Sequence, residues 1–280
     1  MFKGFYTAAT GMMAQQRRTE MLSNNVANAN TAGYKADQST IRSFPNMLMS
    51  SVQKNNGSAS AANGFNAVTA QKIGDLSTGV YVSETLPNFT QGSIVESGVN
   101  TDMALMDGDL PINEETGKVG SIFFKLQAEN GGQAYTRNGN FTLDGEGYLT
   151  TASGNYVLDE NNNRLQFANE DFTIASDGTI KVDNEEVGRL GIAFSNEPDA
   201  LVKQDNGLFY TQDGTELENA YTADNVSFTM EQGFTESSNV DASQAMTEMM
   251  SAYRVFEANQ KILTAYDRSM DKAVNEIGKV

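Results

Sequence analysis

Apolar positions recur at helical spacing at both ends of this 280-residue chain and at strand spacing between them. From Met246, alternate steps of three and four reach Met249, Tyr253, Phe256, Gln260, Leu263, Asp267, Met270, Val274 and Ile277, of which all but Gln260 and Asp267 are apolar. No Pro interrupts this seam and no Gly precedes Gly278. The spacing therefore predicts one helix of about 35 residues, roughly 50 Å long, with Asp241 or Ser243 as its N-cap. So long a heptad suits a helix that meets another helix.

At the other end Phe2, Phe5, Ala9, Met12, Leu22 and Val26 fall near one helical face, with Arg17-Arg18-Thr19-Glu20 on the solvent side. Gly4 and Gly11 weaken this helix. It breaks at Asn28-Ala29-Asn30-Thr31-Ala32-Gly33, where Asn and Gly accept turn and left-handed conformations. Helices of this kind depend on burial more than on propensity, so both ends are expected to order only where neighbours cover their seams.

Between the ends the period changes to two. Phe141-Thr142-Leu143-Asp144-Gly145-Glu146-Gly147-Tyr148-Leu149 alternates about a Gly-containing turn. Short runs at 155–158, 172–174, 179–182 and 190–194 follow, divided by Asn-rich or Asp-Gly punctuation. This predicts a β-rich body over 86–239. Residues 41–85, whose centre is rich in Asn, Gly, Ser and Ala, read as a linker or extended loop. The fold class is α+β: a mainly β central domain flanked by N- and C-terminal helices that pair as a coiled-coil-like terminal domain, 1–40 with 240–280.

The net charge of −17 is uneven. Residues 1–40 hold four basic and two acidic side chains and residues 240–280 hold five and six, so the acid excess sits on the body. An acidic body excludes nucleic acid as a partner and suits a solvated outer surface. The chain has no His and no Cys, which removes the usual general base, the commonest transition-metal ligand, the thiol nucleophile and any disulfide. No cofactor and no catalytic residue is expected. Asp159, Asn161, Asn163, Leu165, Phe167 and Glu170 fall at the ligand positions of a calcium loop, but Arg164 stands where that loop needs Gly and no helix flanks it, so a polar turn is expected and no metal site. No run approaches the roughly 20 apolar residues of a membrane span, and Met1-Phe2-Lys3-Gly4-Phe5 lacks the marks of a cleaved signal peptide.

Leu22-Ser23-Asn24-Asn25-Val26-Ala27-Asn28-Ala29-Asn30-Thr31-Ala32-Gly33-Tyr34-Lys35 resembles the N-terminal signature of the bacterial flagellar rod and hook protein family. Ser238-Asn239-Val240-Asp241 with Glu248-Met249-Met250, though at a slightly different spacing, is similar to its C-terminal one. Gln91-Gly92-Ser93-Ile94, Asp102-Met103-Ala104-Leu105 and Tyr135-Thr136-Arg137-Asn138-Gly139-Asn140-Phe141 resemble its central strings. The chain departs at Leu110-Pro111-Ile112, reaching Phe123-Phe124 only later, as a lengthened hairpin would.

The resemblance implies a structural subunit of the basal-body rod, most like the distal-rod type, that polymerises through its terminal helices into an axial tube transmitting torque and conducting exported subunits. It implies copies of itself and other axial proteins (rod, hook) as partners, with passage through the flagellar type III export apparatus. The assembly residues it suggests are Phe5, Met12, Leu22, Asn25, Val26, Asn28, Thr31, Gly33, Tyr34, Met246, Met249, Tyr253, Phe256, Leu263, Met270, Val274 and Ile277. A hook or hook-associated protein is the near alternative. A secreted β-rich adhesin or binding module is the alternative from another class.

Overall fold

A computed structural model describes residues 3–54, 68–128, 131–167, 171–183, 185–204 and 207–277. The fold is mixed α+β, with helices α1 (Lys3–Ala27) and α2 (Ala242–Lys272) at the ends and strands between. A π-turn, Ala273–Ile277, continues α2. Asp241 is the N-cap of α2: its Oδ1 accepts from the amides of Ser243 and Gln244, both at 2.9 Å. The chain divides into two compact units, Met1–Ser23 with Ser39–Thr85 and Met246–Val280, and Asn24–Gln38 with Leu86–Ala245.

In the first unit the two helices run antiparallel. Arg18 pairs with Glu248, Gly11 faces Asn259 and Gly4 faces Tyr266, so positions descend along α1 as they rise along α2. The glycines read as helix-weakening are also clearances. A Cβ at Gly4 would collide with the Tyr266 ring, and one at Gly11 would press on the Asn259 amide. The neighbouring face of α1 meets the turn at 78–80, where Val80 N donates to Thr10 Oγ1. Among the described residues of 41–85, expected as a linker or extended loop, Met47–Lys54 and Val68–Leu76 instead pair as antiparallel strands, from Met47 with Leu76 to Lys54 with Val68, with a register shift between Met49 and Ser50. Thr69, Val52 and Val68 suit a pleated ladder, a preference masked in sequence by the Asn/Gly/Ser/Ala tract at 55–67, which lies outside the described residues.

In the second unit Ser121–Gln127 is the central strand, paired with Gln133–Thr136 on one side and with Ile192–Ser195 and Tyr156–Val157 on the other. Successive side chains leave opposite faces of a strand. Ile122, Phe124 and Leu126 enter the larger core with Met103, Phe141, Phe172 and Ile180, while Phe123 joins Tyr135, Ala193, Leu201 and Phe209 in a smaller one. The hairpin Phe141–Leu143 with Leu149–Thr151 forms where alternation predicts it. Among the described residues no helix is long and apolar enough to cross a membrane.

Candidate assembly surfaces and the buried junction

The N-terminal signature folds into the second unit as a closed hydrogen-bonded junction. Helix α1 ends at Ala27, and the next residues turn through bonds such as Asn28 N to Asn24 O (3.1 Å) and Thr31 N to Asn28 O (3.1 Å). Asn25 is buried and clasps the outgoing chain on both edges, Nδ2 donating to Asp37 O at 2.8 Å and Oδ1 accepting from Asp37 N at 2.9 Å. The Tyr34 hydroxyl lies within 3.0–3.2 Å of Asn24 Oδ1, Asn25 Oδ1 and Asp37 Oδ2. Burial first, then the neighbouring Asp37 carboxylate, push the Tyr34 phenol well above its ordinary pKa. Lys203 Nζ stands 3.9 Å over the Tyr34 ring and donates to Lys35 O and Asp37 Oδ1.

Gly33 is fixed by two constraints. Its φ is +67°, and a Cβ there would strike the backbone at Arg137 and Asn138. Its amide donates to the Glu236 carbonyl at 2.7 Å. The following residue but one, Lys35, is a lysine with only 2 % of its surface exposed, and its ammonium meets Glu236 Oε1 at 2.7 Å and Thr90 O at 2.9 Å.

Glu236 is where the distant strings converge. Besides Lys35 it accepts from Gly92 N and from Arg137 Nε, both at 2.8 Å. Arg137 in turn donates to Asp107 Oδ1 at 2.8 Å and to the carbonyls of Ile122 and Leu105. Four charges thus close into a neutral cluster drawn from residues 35, 107, 137 and 236, with Asp107 half-buried at its edge and the other three buried. Burial alone raises a carboxyl's pKa, but the Arg137 and Lys35 cations outweigh it and hold Glu236 below the ordinary value. Lys35 is lowered by burial and by Arg137 beside it, while the two carboxylates raise Arg137 despite its burial. Asn239 of the C-terminal signature completes the junction, accepting from Ala36 N at 2.7 Å and donating to the carbonyls of Asn88 and Thr90. Every buried side-chain nitrogen and oxygen among the described residues has a partner.

The signature residues suggested for assembly therefore divide. Asn25, Gly33 and Tyr34 are buried within the chain, Asn28 is half-buried, and only Thr31 is exposed. Lys35, Arg137, Glu236 and Asn239 do the joining and were not singled out from the sequence. Nothing local in the sequence marks them out: Lys35, Arg137 and Asn239 sit inside strings otherwise explained by turns, where a polar side chain can equally be solvated.

The helices divide too. On α2 the inward stripe is Ala245, Met249, Ala252, Phe256, Asn259 and Leu263, buried or half-buried, while Met246 and Tyr253 are exposed, as are Met270 and Val274 further on. The apolar count captured alternate members of the stripe and missed those that are small or polar. The Ile277 side chain lies outside the described residues. On α1 Leu22 is buried, Met12 and Val26 are half-buried and Phe5 is exposed; the face toward α2 is instead Gly4, Gly11 and Arg18. Along both helices large apolar groups stay in water: Phe5, Tyr6 and Met13 on one, and Met246, Met250, Tyr253, Val255 and Ile262 on the other.

At the calcium-like loop the Asp159 carboxylate accepts from Asn163 N at 2.7 Å and Asn163 Nδ2 at 3.2 Å, closing its own turn; Glu170 lies outside the described residues.

Three family models match the chain: the flagella basal body rod protein over residues 5–35, the flagellar hook protein FlgE/F/G D1 domain over 119–182, and the flagellar basal body rod FlgEFG protein C-terminal region over 231–276. The flagellar hook-basal body complex protein FlhO of Bacillus subtilis is 41 % identical over 280 residues, all of both chains. The flagellar basal-body rod protein FlgG of the same organism is 30 % identical over 98 % of this chain and 99 % of its own. FlgF of Caulobacter vibrioides, also a basal-body rod protein, is 28 % identical over the whole of both. The first and third matched segments contain the two halves of the buried junction, Lys35 and Glu236, and the second contains Arg137. This chain belongs to the flagellar basal-body rod protein family.

Proposed function

We propose that this chain is a subunit of the flagellar axial structure that polymerises through residues 1–40 and 240–280, with 86–239 as the outer body. Membership of the family makes it a structural subunit of the basal-body rod. The finer reading is that α1 and α2, side by side within the chain, form a coiled-coil-like terminal domain that packs on its neighbours into a tube that conducts exported subunits and carries torque. Its partners are copies of itself and other rod and hook proteins, and it reaches them through the type III export apparatus. It acts as a building block and not as an enzyme.

One observation carries this. Helices α1 and α2 leave Phe5, Tyr6, Met13, Met246, Met250 and Tyr253 in solvent, apolar surface of the kind that marks an interaction site. The residues proposed for contact are these, with Met12, Met249, Phe256, Leu263, Met270, Val274 and Ile277, while Asn25, Gly33 and Tyr34 shape the buried junction of the second unit. Deleting the gene is expected to abolish swimming and to stop assembly before the hook; swimming cells with complete hooks would overturn the reading.

A further inference from the structure

We propose that the second unit binds a neutral saccharide, one or two sugar rings, in the cleft that opens where the chain turns near Gly131, Asn162 and Gly214. This is a property of the β body and does not depend on how the terminal helices assemble.

The cleft has a volume of about 340 Å³, and Gln127, Gln133, Asn162, Tyr210, Thr215 and Glu216 stand on its walls. That is the small end of the range of about 300–1,000 Å³ found for small-molecule sites. Gln127 and Gln133 are register partners on adjacent strands, so their amides leave the same face of the sheet side by side. Backbone bonds close the turns around them: Gly131 N to Ala128 O at 2.9 Å, Asn162 N to Asp159 O at 3.2 Å and Gly214 N to Thr211 O at 3.3 Å. The walls are therefore in place before a ligand arrives, which lowers the cost of ordering them on binding.

The groups left without a protein partner decide the ligand. Gln127 Oε1 accepts from Arg164 Nε at 2.6 Å, Gln133 Oε1 from the Tyr135 hydroxyl at 2.9 Å, and Glu216 Oε2 from Asn162 Nδ2 at 3.4 Å. Among the described residues this leaves Gln127 Nε2 and Gln133 Nε2 as donors, and Asn162 Oδ1 and Glu216 Oε1 as acceptors, with no bond to the protein. Lys125 adds a third donor. It lies one step back from Gln127 on the same face of the strand and is only 4 % exposed. It makes no hydrogen bond or ion pair among the described residues, yet every fully enclosed side-chain nitrogen there has a partner, so its ammonium reaches solvent. Burial lowers its pKa against the opposing pull of Glu216 first, then Glu160 and Asp159, which sets the ammonium beside the Glu216 wall.

This set of donors and acceptors suits hydroxyl groups. A free anion would meet three carboxylates here, and a free cation would meet the Lys125 ammonium. A neutral polyhydroxy ligand avoids both, because each hydroxyl donates to a carboxylate or amide oxygen and accepts from an amide or ammonium nitrogen. Tyr210, half-buried in the wall, supplies aromatic surface for the apolar CH face of a sugar ring.

The full chain is titrated with cellotetraose, maltotetraose and chitotetraose in an isothermal calorimeter. At least one is expected to bind, and Gln133→Ala to weaken it several-fold, while Val95→Ser, exposed beside the buried junction, leaves it unchanged. Lys125→Met separates binding from folding: loss of an unpaired, nearly buried charge is expected to keep or raise Tm and still weaken the saccharide several-fold. Should Lys125→Met fail to fold, Gln133→Ala decides alone. No binding of any of the three at millimolar concentration overturns the proposal, as does affinity that either substitution leaves unchanged in a folded chain. Binding of N-acetylarginine amide in place of the saccharides would assign the cleft to a basic partner and equally overturn it.

Discussion

Replacing Glu236 by Gln keeps the shape of the junction and removes its central charge. In the native chain the carboxylate accepts from Lys35 Nζ at 2.7 Å, Arg137 Nε at 2.8 Å and Gly92 N at 2.8 Å. Gln can still receive Lys35 and Gly92 at its oxygen, but its amide then faces the Arg137 Nε–H, donor against donor. Two buried cations are left with Asp107, which touches Arg137 alone. Removing one partner of a buried ion pair costs about 3–5 kcal/mol, because the charge left behind is not rehydrated. That corresponds to a fall in Tm of very roughly 6–20 °C for a unit of this size. Urea unfolding of the full chain, followed in the far ultraviolet and by near-ultraviolet tyrosine dichroism, measures it. The pH dependence supplies the sign: Glu236 is depressed in the folded state, so its contribution is complete above the unfolded glutamate value of about 4.3 and is lost as pH falls through the lower folded value. The gap between wild type and variant should therefore persist to mildly acid pH and close below it. A loss under about 1 kcal/mol at neutral pH, the scale of an exposed pair, refutes the argument.

Gly33→Ala is expected to destabilise by at least about 2 kcal/mol in the same assay, since φ of +67° disfavours a side chain and the methyl meets backbone that cannot step aside. A neutral result would mean that the turn relaxes. Above about pH 10 stability should decline, because Tyr34 and Tyr221 are raised by burial: their contribution is whole below the unfolded tyrosine value and is lost as pH climbs toward the folded ones. Tyr34→Phe should flatten part of that alkaline limb, after a loss of about 1 kcal/mol at neutral pH for the hydroxyl; an unchanged limb would remove Tyr34 as its cause.

What could be read from the sequence followed the strength of its periodicity. The C-terminal helix, its cap at Asp241 as one of two candidates, and the Phe141–Thr151 hairpin are legible, because spacing and turn residues agree there. The central strand was not, since Ser-Ile-Phe-Phe-Lys-Leu-Gln is buried on both faces and shows no alternation to find. The strand pair flanking 55–67 was missed because composition outweighed the short β-prone runs at either end. The buried cluster was beyond reach for a different reason: Lys35, Asp107, Arg137 and Glu236 meet only after a fold brings four distant strings together, and nothing local marks any of them as buried.

The inner seam explains why sequence and structure name different residues for the helix pair. A search for apolar heptads selects residues that gain by leaving water, yet the α1–α2 contact within the chain rests on Gly4, Gly11, Asn259, Tyr266 and the pair Arg18–Glu248. That pair has side chains about a third exposed, 37 % and 38 %, and adds less than about 1 kcal/mol. The two glycines and this ion pair therefore fix the helices' direction and proximity while contributing little stability themselves, and buried Ala8, Ala14 and Ala252 fill the seam between them. Several larger apolar groups, Tyr6, Met13, Met246 and Tyr253 among them, would contribute on burial at about 25 cal/mol per Å² and face outward. A pair of helices aligned by one face and left unsatisfied on the other is poised for contact with further chains, and its stability should rise with assembly rather than precede it.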